Sequence, residues 1–187
     1  CRSLRQISLT IAMACTFLCR IPACARNAGA GPSAAAVAAV PDLSSDGYRL
    51  ATEAEFEFAS RAGTNSLFFF GNDISINQLN RFCWWSVSSS VQASGPTSSG
   101  RFPCNPFGLE GVHGNTYEWV QDWYSEQYYE ESPLTDPRGP ESGEDKVLRG
   151  GGWHAASWAA MASHARFALR PEGAQMWCGL RVAMNIP

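Results

Sequence analysis

The sequence lacks the features that define several large classes of protein. It has seven cysteines but no Cys-x-x-Cys pair, so it predicts no structural zinc site. It has no basic stripe interleaved with aromatic residues, which argues against a nucleic-acid-binding protein. The uncharged apolar run at residues 7–18 is too short to cross a bilayer. We therefore expect no zinc, no nucleic acid and no membrane span.

Charge is scarce and unevenly spread. Only 17% of the residues are charged and 45% are hydrophobic, a balance that excludes a disordered chain and predicts a packed core. The first 41 residues hold four arginines and no acid. All 17 acidic residues lie from Asp42 onward, against ten Lys and Arg, which gives that part a net charge near −7. The many aromatic, Gly and Pro residues indicate short elements joined by irregular loops.

The first 47 residues allow two interpretations. Arginines precede the apolar run, an order that resembles a signal peptide. The other interpretation is a buried helix at a truncated start of the domain. The Ala-rich stretch 28–40 then predicts a linker or a poorly ordered loop. We place a divergent N-terminal helix and low-complexity linker at 1–47 and the main domain at 48–187.

Helix signals begin after Tyr48. Thr52 and Glu55 form a capping box, so we expect a helix over 53–62 that stops at Gly63. Asp73 is expected to cap a second helix. These two short helices precede the strands that the rest of the sequence predicts.

Strand signals lie in the last third of the chain. Alternating residues share one face in two segments: Ala165, Phe167 and Leu169, then Leu180, Val182 and Met184. Residues 86–106 are rich in Ser, Gly and Pro and predict a long surface loop. Together with the helices, these segments predict an α+β fold with short helices, a small antiparallel sheet and much irregular loop.

Two kinds of side chain suggest internal links. Cys83 and Cys104 could form a disulfide, but spacing does not establish one, and free, partly buried thiols are the expected state. Arg166 and Arg181 are flanked by apolar residues and are expected to pair with a buried acid such as Glu118 or Asp122. Trp119 and Trp123 are expected to fill the core across a short turn.

Three blocks of sequence follow one another along the chain. They are residues 48–64 (YRLATEAEFEFASRAGT), 105–124 (NPFGLEGVHGNTYEWVQDWY) and 147–153 (VLRGGGW), the last followed by Arg166–Phe167 and Gly179–Ala183. Their order and spacing resemble the signature of the sulfatase-modifying-factor family, whose founding activity is formylglycine generation. The resemblance implies a C-type-lectin-like fold of the formylglycine-generating-enzyme type.

The resemblance also shows where catalytic residues would lie. Enzymes of the family use two cysteine thiolates after the glycine run, which bind copper(I) and activate oxygen. Here the matching positions are Ala155 and Ala160, and the serine expected after the glycine pair is Gly152. The aromatic residue before the signature Glu is present as Tyr117. Alanine offers no metal ligand, so we expect no copper and no catalytic residues.

A calcium site is the second feature that the resemblance implies. The matching ligands are the carbonyls of Gly114 and Thr116 and the carboxylate of Glu118, while a fourth ligand falls at Gly111. Calcium prefers six to eight oxygens. Calcium is therefore an open expectation, and the alternative is that Glu118 pairs with an arginine.

The function expected from these residues is a non-catalytic binding or interaction module, a pseudoenzyme. Its ligand, whether protein, peptide or small molecule, is expected to face Trp153, His154, Ser157 and Trp158, together with the 86–106 loop. The sequence leaves the compartment open between a bacterial cytoplasm and cell envelope.

Three alternatives remain at this point. The first is formylglycine generation on a sulfatase despite the substitutions. The second is a different oxidoreductase reaction on the same scaffold, with His154, His164 or an untested metal. The third is a decayed gene product.

Overall fold

The computed structural model describes residues 11–13, 47–88, 95–173 and 175–185. The helices are α1 (Glu53–Arg61), α2 (Ile76–Phe82), α3 (Tyr128–Glu131) and a 3-10 helix at Trp158–Met161. The strands are β1 (Ile11–Met13), β2 (Arg49–Leu50), β3 (Tyr117–Trp123), β4 (Lys146–Arg149), β5 (Phe167–Leu169), β6 (Cys178–Leu180) and β7 (Val182–Asn185). This mixture of short helices and small sheets is the predicted α+β fold.

The larger sheet has four strands in the order β5-β4-β3-β6. β4 runs antiparallel to both β3 and β5, but β3 and β6 run parallel, with Tyr117 opposite Cys178. The expectation of a purely antiparallel sheet is therefore wrong at this edge. A parallel pair needs a long crossover, and the chain between β3 and β6 includes both β4 and β5.

A smaller sheet joins β1, β7 and β2, with both pairs antiparallel. Its first strand, Ile11–Met13, lies within the apolar run for which the sequence allowed a helix. For these three residues the helix is wrong, because their backbone pairs with β7 instead. The predicted linker at 28–40 lies outside the described residues.

Helix α1 begins with the predicted capping box. The Thr52 hydroxyl accepts a hydrogen bond from the Glu55 amide at 3.2 Å, and the Glu55 carboxylate accepts one from the Thr52 amide at 2.8 Å. The helix ends at Arg61, one residue before its predicted end, because Ala62 adopts the left-handed conformation at φ 47° and Gly63 follows at φ 89°.

Helix α2 is capped by a residue that the sequence analysis did not choose. The Ser75 hydroxyl accepts from the Gln78 amide at 3.4 Å, so Ser75 is the N-cap and the expected cap at Asp73 is wrong. Asp73 lies two residues earlier and accepts from the Ser75 amide at 2.8 Å. Asp and Ser can both cap a helix through a side-chain oxygen. Here the Asp73 carboxylate is used in the turn before the helix, and Ser75 is the cap.

The strand faces follow the prediction at β5 and reverse it at β7. In β5, Phe167 and Leu169 are half-buried and Ala168 is exposed. In β7 the buried residue is Ala183, and the buried Arg181 comes just before the strand, so the expected face of Leu180, Val182 and Met184 is wrong. The alternation of apolar residues does not show that Arg181 is buried on the inner side, where it pairs with Glu118.

Buried ion pairs connect the sheet to α1 and to the middle of the chain. Arg181 donates to both oxygens of Glu118 at 2.9 Å, as predicted. Arg166 instead contacts Glu53 at 2.6 Å, so the expected partners Glu118 and Asp122 are wrong for it. Glu53 begins α1 and is 3% exposed. Sequence reasoning did not identify it as a buried acid.

Two further expectations concern the cysteines and the tryptophans. Cys83 is buried, Cys104 is exposed, and both are free thiols, so they form no disulfide. Trp119 and Trp123 lie on a strand with a register shift between them, not on a short turn. Trp119 is 1% exposed and fills the core, whereas Trp123 is half-buried beneath the Lys146 ammonium, 4.0 Å from its ring centroid.

Candidate functional site

The candidate site lies in the segment that follows β4. Gly150 and Gly151 have φ of 88° and 76°, a conformation that other residues rarely adopt. A β-carbon at Gly151 would also lie 2.8 Å from the Ala160 carbonyl oxygen. The two glycines therefore let the chain turn out of β4 and let the 3-10 helix return against it.

The alanines at the cysteine-pair positions pack on the same hydrophobic cluster. Ala155 is 4% exposed and belongs to a core that includes Phe68, Leu79 and Met161. Ala160, half-buried, packs against that core from the 3-10 helix. Neither side chain carries a donor atom for copper(I), so these residues do not fit the metal. At these positions the alanine side chains contribute to core packing.

Tyr117 occupies the space beside Gly152. A β-carbon built on Gly152 would lie 2.7 Å from two carbons of the Tyr117 ring and 3.3 Å from Cε1 of His154. The serine that the resemblance places at this position would not fit without movement of that ring. Burial raises the pKa of Tyr117, the larger cause, and the nearby Cys178 thiol adds to it. The phenol therefore stays neutral at ordinary pH.

An aromatic group surrounds Tyr117 at the start of β3. The ring centroids of Tyr117, His154 and Trp177 are 5.7, 5.2 and 5.2 Å apart, with interplanar angles of 47° to 72°. Trp153 joins through His154 at 5.4 Å, and Phe167 contacts Tyr117 edge-to-face at 4.7 Å. Burial lowers the pKa of His154, so its imidazole is neutral near pH 7.

The four expected ligand-facing residues divide into two pairs. Trp153 and His154 join the aromatic group described above. Ser157 is exposed and caps the 3-10 helix, where its hydroxyl accepts from the Ala159 amide at 3.3 Å. Trp158 is half-buried and packs against the core around Ala155.

The sequence analysis missed Trp177 as a member of this group. It lies outside the glycine block, a few residues before the strand predicted at Leu180, Val182 and Met184, and no local pattern singles it out. The structure brings Trp177 beside Tyr117 because β6 pairs in parallel with β3, so the starts of the two strands lie together.

The positions expected to hold calcium lie at the start of β3. Glu118 is 2% exposed, and both of its oxygens accept hydrogen bonds from Arg181. This is the arginine pairing that the sequence left open beside calcium. Gly114 packs against the Trp84 backbone, where a β-carbon would lie 2.5 Å from the carbonyl oxygen. Thr116 is buried beside Gly179.

The two histidines considered as metal ligands do not form a metal cluster. His154 and His164 are both exposed. Across the described part of the chain, no three His, Cys, Asp or Glu side chains come together as a group that could hold a metal. Across the same residues, no helix is long and apolar enough to cross a membrane.

His113 supports the 3-10 helix of the candidate segment. The sequence analysis gave it no role. Its Nε2 accepts from the Phe69 amide at 3.3 Å, so Nδ1 carries the proton and donates to the Met161 carbonyl at 2.8 Å. Burial lowers the pKa of His113 to about 4. The neutral ring thus fixes the end of the 3-10 helix.

The described part of the 86–106 loop folds back onto the domain. The Asn115 side chain accepts from the Thr97 amide at 2.8 Å and donates to its carbonyl at 3.3 Å. Arg101 lies over the Trp84 ring, 4.2 Å from its centroid. These contacts fasten residues 97–101 beside the start of β3.

Solved structures with the same arrangement identify the class of fold. The Treponema denticola variable protein 1 matches with a TM-score of 0.68 and 30% identity, over 77% of this chain and 50% of that one. PvdO from Pseudomonas aeruginosa matches with a TM-score of 0.65 and 30% identity, over 74% and 53%. The fold and its altered site define a C-type-lectin-like domain of the formylglycine-generating-enzyme type.

The sequence assigns the family more narrowly. The chain belongs to the sulfatase-modifying factor enzyme 1-like domain family, whose model matches residues 20–186. It is 39% identical over 115 residues to the formylglycine-generating enzyme of Thermomonospora curvata, covering 56% of this chain and 38% of that enzyme. It is 36% identical over 143 residues to the serine/threonine-protein kinase pkn1 of Chlamydia caviae, covering 75% of this chain and 21% of that protein. The chain thus spans well under half of these relatives.

Proposed function

We propose that this domain is a non-catalytic binding module on the formylglycine-generating-enzyme scaffold. The observation that carries the proposal is the pair Ala155 and Ala160, which stand where the family's oxidase would need two thiolates. A methyl side chain has no acidic proton and no lone pair. Neither a change of rotamer nor a shift of pKa restores metal binding or thiol exchange.

The packing around these positions supports a structural use of the segment. Ala155 is a core residue against Phe68 and Met161, and the Tyr117 ring fills the space over Gly152. The altered residues thus form a packed surface in place of a reaction cavity. Beside it, His154 and Trp177 remain partly accessible and offer apolar faces with polar edges, the kind of side chain that anchors binding interfaces.

The relatives support use as a module within larger proteins. A segment similar to this chain makes up only about a fifth of a protein named as a serine/threonine kinase. A domain that appears in hosts with different names fits a scaffold that keeps its fold and varies its surface loops.

A direct assay tests the loss of the inherited reaction. The protein is incubated with copper(I), oxygen, a thiol reductant that supplies two electrons per turnover, and a peptide that carries the sulfatase Cys-x-Pro-x-Arg motif, and mass spectrometry measures the aldehyde. We expect no formylglycine above background. An aldehyde that depends on the wild-type protein would overturn the proposal and make a sulfatase the partner.

Two double variants sharpen the assay. Ala155→Cys/Ala160→Cys restores a thiol pair and is expected to bind copper(I), which competition with a chromophoric chelator detects. Ala155→Ser/Ala160→Ser adds side chains of similar size without thiolates and serves as the matched control. Equal copper(I) binding by the wild type and the cysteine variant would show that ligands elsewhere hold the metal.

A further inference from the structure

Asn115 holds Thr97 in the way that one β-strand holds another. Its side-chain oxygen accepts from the Thr97 amide at 2.8 Å, and its side-chain nitrogen donates to the Thr97 carbonyl at 3.3 Å. In extended chain the N–H and C=O of one residue point to the same side, and paired strands exchange this same double hydrogen bond. The Asn115 amide therefore binds main chain, and it suits any extended residue that presents both groups.

Two further side chains bind the main chain on either side of that contact. The Trp84 indole N–H donates to the Gly95 carbonyl at 3.2 Å, and the Glu110 carboxylate accepts from the Gly100 amide at 2.6 Å. Together with Asn115, Trp84 and Glu110 form the anchor surface. All four hydrogen bonds join a side chain of this surface to a backbone group, so the surface recognises the path of a chain more than its residue types.

The contacts that orient Asn115 come from outside the bound segment. Its backbone is left-handed, with φ of 70°, a conformation that asparagine adopts more readily than most residues. Its amide donates to the Trp84 carbonyl, and its carbonyl accepts from the Trp153 amide, both at 2.7 Å. A side chain fixed in this way needs little reorganisation to receive a different chain. The contact with Trp153 also places the anchor surface beside the candidate site.

The segment seated on the anchor surface is small and exposed. Residues 95–100 read Gly-Pro-Thr-Ser-Ser-Gly, and Ser98, Ser99 and Gly100 are exposed. A cavity is lined by both this segment and the anchor surface, with His113 in its wall, so the segment does not fill the space beside it. Segments with few buried apolar contacts open at low cost in free energy.

Pro96 shows which chemistry suits the anchor surface. It lies between two anchored groups, the Gly95 carbonyl and the Thr97 amide, so its missing N–H is not needed. Proline also favours the extended backbone that the double hydrogen bond with Asn115 requires. Small neighbours let the main chain come close to the surface. The fitting ligand is thus an extended stretch rich in Gly, Ser, Thr and Pro.

We propose that the anchor surface is a docking site for such an extended segment of a partner protein, and that residues 95–100 occupy it as an intramolecular ligand. The inference rests on the proposed function, because it names the ligand class of the binding module. The partner then binds by displacing the segment and reproducing its backbone contacts.

Binding of a free peptide tests the site. A fluorescein-labelled copy of residues 95–101 (GPTSSGR) is titrated into the full chain, and fluorescence polarisation measures its affinity. Thr97→Pro removes the amide that Asn115 binds and should release the segment. Because a tethered ligand competes at an effective concentration of about millimolar, we expect this variant to bind the peptide at least about tenfold more tightly than the wild type does. Equal affinities, or no binding to either protein, would overturn the proposal.

Further variants, made in the Thr97→Pro chain, assign the binding to the anchor surface. Asn115→Gly keeps a left-handed backbone accessible and removes only the amide, so it should abolish peptide binding. Asn115→Asp keeps the acceptor, loses the donor and should bind at an intermediate level. In the wild-type chain, Ser98→Ala leaves all four hydrogen bonds in place and should bind the peptide as weakly as the wild type. Unchanged binding in both Asn115 variants would place the site elsewhere and sink the assignment.

Modified peptides separate backbone recognition from side-chain recognition. N-methylation of the threonine removes one N–H and should weaken binding at least about tenfold, whereas alanine in place of both serines should leave it unchanged. The opposite pattern would contradict recognition through the main chain. If no peptide binds and the oxidation assay yields no aldehyde, the docking site fails and the non-catalytic proposal stands. An aldehyde together with peptide binding would overturn the non-catalytic proposal alone.

Discussion

The ring of Tyr117 lies where a side chain on residue 152 would project. Two of its carbons come within 2.7 Å of the β-carbon that Gly152 lacks. The aromatic residue and the glycine are therefore mutually dependent. A single substitution back toward the family pattern meets a steric barrier, in addition to the missing thiolates.

Gly152→Ser is expected to destabilise the fold by about 1–3 kcal/mol, because the new side chain overpacks the Tyr117 ring. Gly152 has no positive φ, so the effect is steric and not conformational. Urea unfolding measures it. Gly95→Ser is the matched control, since a β-carbon there meets no atom within 4 Å. In a Tyr117→Ala background the serine should cost less, and an undiminished cost would refute the clash.

Glu118→Gln is expected to reduce the free energy of unfolding by about 3–5 kcal/mol, because it leaves the buried Arg181 guanidinium without its counter-charge. Thermal or urea unfolding checks this value. The exposed pair of Arg170 and Glu144 supplies the comparison, and Glu144→Gln should change stability by less than about 1 kcal/mol. Similar losses at both sites would contradict the burial argument.

The sequence left calcium binding at Gly114, Thr116 and Glu118 open, and the melting temperature tests it. A calcium ion would have to draw Glu118 away from Arg181, which already donates to both carboxylate oxygens. We therefore expect millimolar calcium to leave the melting temperature of the wild type unchanged relative to magnesium. A rise with calcium alone would show a structural site that binds the native state.

Asp122 is expected to make stability fall as pH rises. Burial raises its pKa to about 7 in the fold, from the ordinary value of 3.8 for an aspartate. The native state thus keeps a proton that the unfolded chain releases, so the contribution is full below about pH 4 and is lost as pH rises through about 7. Unfolding of Asp122→Asn across this window should lack that decline. A profile identical to the wild type would refute the assignment.

His113 is expected to make stability rise with pH, opposite to Asp122, over nearly the same pH range. Burial lowers its pKa from 6.5 to about 4, so the unfolded chain takes up a proton before the native state does. Its contribution is complete above about pH 6.5 and is lost as pH falls toward 4. The Asp122→Asn variant should therefore gain stability as pH rises through this window. Adding His113→Gln to the Asp122→Asn variant should remove this rise of stability with pH, although the altered core lowers stability at every pH.

Local signals in the sequence predicted local structure well. The capping box at Thr52 and Glu55 fixed the start of α1, because each group finds its partner within one turn. The pairing of Arg181 with Glu118 followed from the cost of a buried charge. The signature blocks led to the family, and hence to the C-type-lectin-like fold, more surely than any propensity did.

Non-local relationships escaped sequence reasoning. Arg166 pairs with Glu53, which lies 113 residues earlier, and no local pattern encodes such a distance. The buried face of β7 is the one that holds Ala183, in line with the buried Arg181 that precedes the strand. Trp177 lies beside Tyr117 through the parallel pairing of β3 and β6. In each case the tertiary arrangement decided between locally equal choices.

The ion pairs of α1 also constrain the order in which this domain can form. Glu53 meets Arg166 and Glu57 meets Arg149, across 113 and 92 residues of chain. During synthesis the helix emerges long before either arginine, so Glu53 lacks both of its arginine partners until the last third of the domain is made, whereas Glu57 can already pair with Arg61 of the same helix. Such distant contacts predict slow folding. Docking of α1 on the sheet should therefore be a late event, and it should fail in a chain that stops before β4.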